Sequence, residues 1–93
     1  MPETGAHVIV SGRVQGVGFR ATVRQVAAGF KVKGWVKNLP DGSVEMLAAA
    51  EAAELEAFMA AVRNSQLRGH IDREVQDFPP LGDLAADFEI RYS

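Results

Sequence analysis

Val10-Ser11-Gly12-Arg13-Val14-Gln15-Gly16-Val17-Gly18-Phe19-Arg20 is the stretch on which the reading of this 93-residue chain turns. Upstream of it, His7-Val8-Ile9-Val10 is short, apolar and β-branched, the composition of a buried strand. Downstream, apolar residues recur at Phe19, Val23, Val26 and Phe30, spaced as on one face of a helix. A strand therefore enters a helix through a glycine-rich loop. That arrangement aims several backbone N–H groups at one point, and the helix start adds its partial positive charge. Arg20 contributes a permanent charge with forked donors. A cation is disfavoured in a first helical turn unless an anion lies near, so its position points to a ligand. The stretch reads as a cradle for a tetrahedral dianion.

The rest of the chain completes a fold around this unit. Lys33 to Asn38 predicts a second strand, Leu39-Pro40-Asp41-Gly42 a turn, and Ser43 to Ala48 a third strand, together a hairpin. Glu51 to Asn64 predicts a second helix with Leu55, Phe58, Met59 and Val62 on one face. Its glutamates Glu51, Glu54 and Glu56 crowd the end where the dipole favours them. His70 to Phe78 alternates like a half-exposed strand, Pro79-Pro80-Leu81-Gly82 breaks it, and Phe88 to Tyr92 alternates again. The order is βαββαβ with a short extra C-terminal strand. Two helices on one face of an antiparallel sheet form an α+β, ferredoxin-like sandwich. Residues 1–93 are expected to make one domain, with 1–5 a loose tail.

Composition narrows the function classes. The chain has no cysteine, so no disulfide framework and no thiolate metal site. No His, Asp and Glu cluster has ligand spacing, so neither a metal nor another cofactor is expected. No apolar run reaches transmembrane length and no secretory signal opens the chain. A cytoplasmic, monomeric protein without membrane contacts is the expectation. Net charge is −2, but it is unevenly spread: Thr4 to Pro40 carries six cations and no acid. A local positive field draws small anions. Nucleic acid is not the expected partner, since the pI is about 5.6 and no aromatic stacking motif is present.

Three phosphate-binding motifs compete for the loop. A Walker A loop needs Gly-Lys followed by Ser or Thr, which is missing here. Gly16-Val17-Gly18-Phe19-Arg20-Ala21 matches a dinucleotide fingerprint literally, and Asp41 stands where its ribose-binding acid would. The hairpin after the first helix and the short chain do not suit that fold. The third reading is a resemblance. Gly12 to Arg20 resembles the first signature of the acylphosphatase family. Gly34-Trp35-Val36-Lys37-Asn38-Leu39-Pro40-Asp41-Gly42-Ser43-Val44-Glu45 resembles the second. Their separation also fits, and the likeness extends loosely over residues 7 to 92.

The resemblance implies an enzyme that hydrolyses the carboxyl-phosphate bond of acyl phosphates to carboxylate and inorganic phosphate, without metal. It places Arg20 on the phosphoryl group and the backbone N–H groups of Gln15, Gly16, Val17, Gly18, Phe19 and Arg20 around its oxygens. Asn38 would orient the attacking water. Phosphate or sulfate would occupy the same site. The chemistry suits these residue types. The leaving carboxylate is stable as an anion and needs no strong acid, so positioning and charge stabilisation carry the reaction. The alternative is a non-catalytic phosphate-binding regulatory module of the same fold. Ala21 and Thr22, Lys31 and Ala50 depart from the family pattern, at positions that bear on packing, turns and substrate preference.

Overall fold

The computed structural model describes residues 3–16, 18–78 and 87–92. Strand β1 (Glu3–Gly12) leads through the glycine loop to helix α1 (Phe19–Ala27). The hairpin β2 (Lys33–Asn38) and β3 (Val44–Glu51) follows, then helix α2 (Ala52–Arg63). A single 3-10 turn at Arg68–His70 precedes β4 (Ile71–Asp77), and β5 (Phe88–Arg91) closes the sheet. The five strands lie in the order β4-β1-β3-β2-β5. α1 covers β2 and β5, and α2 covers β1 and β3, so both helices share one face.

Strand alternation builds the core beneath them. Ala6, Val8 and Val10 of β1, Val36 of β2, and Val44, Met46, Ala48 and Ala50 of β3 are all buried. Phe19 and Val23 of α1 and Leu55, Phe58, Met59 and Val62 of α2 fill the space above. Phe58 is fully buried between two rings, edge-on to Phe30 at 5.9 Å and tilted against Phe88 at 5.6 Å. Aromatic pairs at such offsets add about 0.5–1.5 kcal/mol beyond their burial.

Several boundaries differ from the sequence reading. Glu3, Thr4 and Gly5 are not loose: they pair with Glu51, Ala50 and Ala49 and extend β1. The other two residues of the expected tail, like the Pro79–Gly82 break, lie outside the described residues. Residue 50 remains extended strand, fully buried beside Thr4. Lys31 escapes strain because no described non-glycine residue has positive φ. The helix instead ends on Ala28 in right-handed geometry, with Gly29 and Phe30 N–H groups donating to Val26 and Ala27 carbonyls. His70 falls in the 3-10 turn rather than in β4.

The sheet is mixed. β1, β3, β2 and β4 pair antiparallel as expected, but β5 joins the outer edge of β2 in parallel. β1 already has neighbours on both sides, and the edge of β2 lies under α1, where Phe88 and Ile90 pack on the core. The face away from the helices mixes charged side chains with Ile9, Trp35 and Leu47. There His7 lies between Glu45 and Asp77, with Nε2–Oε2 2.7 Å and Nδ1–Oδ1 3.0 Å. Isolated in sequence, it ties three strands together. A neutral imidazole has one N–H, so two carboxylates favour the cation. The bond to Glu45, then the one to Asp77, holds its pKa above the usual 6.5.

Candidate active site

Because β3 runs backwards between β1 and β2, and β5 runs along β2, the carboxyl ends of β1, β2 and β5 meet at one end of the sheet. The two sequence signatures arrive there from different strands. Asn38 pairs with Val44, which pairs with Val10, so Asn38 and the strand that delivers the loop lie one strand apart. Val14, Gly16 and Gly18 of the loop, Phe19, Arg20 and Ala21 of α1, Asn38 of β2, and Ile90 and Tyr92 bound a cleft of about 210 Å³.

The loop geometry requires its glycines. Gly16 has φ 78° and Gly18 φ 76°, the left-handed region that side chains resist. Gly18 begins α1, and its carbonyl accepts the Thr22 N–H at 2.9 Å. The amides before Thr22 have no place in the helix ladder. Among the described residues no side chain caps this helix start. Phe19 sends its ring into the core, so its backbone amide alone is left for a ligand.

Arg20 is half-buried on the cleft wall. Its guanidinium lies 4.7 Å from the Tyr92 ring centroid, and Nη1 is 3.4 Å from the Arg91 carbonyl oxygen, a long, weak bond. Among the described residues Arg20 makes no ion pair, whereas Lys33 pairs with Glu3 and Lys37 with Glu45. Of the six cations between Thr4 and Pro40, Arg20 is the one that lines the cleft. Asp41 is not placed as a ribose-binding acid. It caps its own turn, accepting the Ser43 hydroxyl and the Ser43 N–H, and the hydroxyl bond most of all holds its pKa low.

The structure therefore brings Gly16, Gly18, Phe19, Arg20 and Asn38 around one cleft. Val17 lies outside the described residues. Gln15 does not line the cleft; its side chain reaches to the β2–β3 turn instead. Ile90 and Tyr92 were missed as lining residues, since they stand some seventy positions from Arg20 and leave no local signature. Trp35 is on the open face, flanked by Lys37 at 5.4 Å and Arg91 at 5.1 Å, and is not part of the cleft. Among the described residues no group of three or more His, Cys, Asp or Glu could hold a metal ion.

Comparison with known proteins decides the family. The acylphosphatase family model matches residues 6–90. The chain belongs to the acylphosphatase family. It is 43% identical over 93 residues to the acylphosphatase of Haloarcula marismortui, covering 99% of this chain and 100% of the relative. The crystal structure of acylphosphatase from Bacillus subtilis superposes with TM-score 0.86 at 37% identity, over 96% of this chain and 99% of that one. An acylphosphatase from Coxiella burnetii gives TM-score 0.83 at 35% identity, over 96% and 93% of the two chains. This acylphosphatase-family enzyme is a hydrolase, and the regulatory-module alternative gives way. No helix among its described residues is long and apolar enough to cross a membrane.

Proposed function

We propose that this enzyme cleaves the carboxyl-phosphate bond of acyl phosphates without a metal ion, with Arg20 and the loop amides binding the phosphoryl group and Asn38 holding the water. The observation that carries this reading is the cleft in which Arg20, at the uncapped start of α1, meets Asn38 at the end of β2. Arg20 and the amides of residues 16–20 stabilise charge on the equatorial oxygens. Water held by the Asn38 amide attacks phosphorus in line. The bond from phosphorus to the carboxylate oxygen breaks, and the carboxylate leaves with the electron pair. The water proton passes to a phosphate oxygen, because Asn38 is neutral and cannot serve as a strong base. Residues 1–93 act as one domain, monomeric and cytoplasmic. Inorganic phosphate or sulfate competes for the cleft.

Benzoyl phosphate hydrolysis tests the assignment. Turnover that survives a chelator supports the metal-free route, and turnover abolished by it refutes that route. Asn38→Ala is expected to lose about 10²-fold in kcat, the cost of a misplaced reactant, while phosphate inhibition persists. Unchanged kcat in that variant would remove Asn38 from the mechanism.

A further inference from the structure

We infer that Gln15 is a positioning residue, whose side-chain amide clamps the phosphate loop to the hairpin that carries Asn38. The inference rests on the water-holding role proposed for Asn38. Gln15 Nε2 donates to the Leu39 carbonyl at 2.7 Å and to the Ser43 carbonyl at 2.8 Å. An amide nitrogen carries two hydrogens, and both are spent here. Both partners are acceptors, so only the nitrogen end of the amide fits this position.

The two carbonyls flank the turn between β2 and β3. Each also accepts a bond within the turn: Ser43 from the Leu39 N–H at 2.9 Å, and Leu39 from the Gly42 N–H at 3.2 Å. Leu39 follows Asn38 directly, and Ser43 precedes Val44, the register partner of Asn38. The clamp therefore grips the hairpin beside Asn38 on both strands. The hairpin does not need this grip for its register, which runs in step from Lys33↔Ala49 to Asn38↔Val44. Gln15 adds a link between segments that are not sheet neighbours. The loop leaves β1, Asn38 ends β2, and β3 lies between them. Across that gap the side chain sets the spacing between the phosphate cradle and the amide that aims the water.

The test combines Gln15→Met, which keeps length and loses both donors, with Gln15→Glu, which turns a carboxylate oxygen toward two carbonyls. Each is made alone and together with Asn38→Ala. The readouts are kcat and KM for benzoyl phosphate and the inhibition constant of inorganic phosphate. Gln15→Met is expected to lower kcat about 10- to 100-fold. Its phosphate inhibition constant stays within about twofold, the scatter expected of uncoupled sites. In the Asn38→Ala background the same substitution changes kcat by no more than about twofold, since nothing remains to be positioned. Equal losses in both backgrounds, an unchanged kcat, or a phosphate constant that rises in step with the kcat loss would overturn the inference. If Gln15→Met does not fold, Gln15→Glu decides. Its kcat relative to wild type at the same pH rises as pH falls toward about 4, where a protonated carboxyl regains one donor. A flat ratio overturns the clamp. Asn38→Ala alone reports separately on the water-holding role.

Discussion

Removing Arg20 separates activity from stability. The side chain is half-buried, makes no ion pair among the described residues, and spends only a long bond on the Arg91 carbonyl. Its remaining donors are free for a phosphoryl group. Loss of one preorganised donor group costs roughly 3–4 kcal/mol in the transition state, which at 1.36 kcal/mol per decade is about 10²–10³ in kcat/KM. The folded state pays little. Arg20→Ala forfeits the contact with the Tyr92 ring at 4.7 Å, about 0.5–1 kcal/mol at a largely open site. It also removes a cation from the positive end of α1, which returns about 0.3–1 kcal/mol. These oppose each other, so Tm should move by less than about 8 °C in a domain of this size. Benzoyl phosphate hydrolysis supplies the rates and thermal melts supply the stability. Melts with excess inorganic phosphate add a binding readout: ligand at 100 times its Kd stabilises by about 2.7 kcal/mol, roughly 10–20 °C. Wild type should show this protection and Arg20→Ala should lose most of it. Activity within threefold of wild type, or undiminished phosphate protection, would refute the role given to Arg20.

Two further outcomes follow from the sheet. Gly34→Ala should destabilise by about 2–5 kcal/mol in urea unfolding, because Gly34 has φ 142° and a Cβ there would collide with the Leu47 carbonyl; a loss below 1 kcal/mol would contradict that packing. His7 is faced by Glu45 of β3 and Asp77 of β4, with Lys37 of β2 on the far side of Glu45. Its pKa is raised on folding, chiefly by the Glu45 bond. The stabilisation is therefore full below the unfolded value near 6.5 and is lost as pH rises through the folded value. The urea midpoint of wild type should exceed that of His7→Gln by more at about pH 5.5 than at about pH 9, and a gap that stays flat or widens with pH would disprove it.

Much of the site could be read locally because its chemistry is local. Loop glycines at positive φ, an arginine in a first helical turn and an asparagine before a proline turn each leave a short pattern. The second helix and the hairpin were equally legible, since periodicity and Asp-Gly turn chemistry act over a few residues. What escaped was long-range. Gln15 was read for its backbone N–H alone, yet its side chain is bound to a hairpin 24 positions away. Tyr92 looked like the tail of a strand, yet its ring lies beside Arg20. His7 looked solitary until β3 and β4 brought carboxylates to both its nitrogens.

The amino-acid sequence by itself determined the elements, their order and the two halves of an anion site, because backbone geometry and helix-end charge depend on neighbours in the chain. Only the tertiary structure decided that β5 adds in parallel beside β2. That placement brings Tyr92 to Arg20 and closes the cleft around Asn38. Strand pairing and side-chain reach across a sheet depend on which edges remain open after the core has packed, and that is a property of the whole fold.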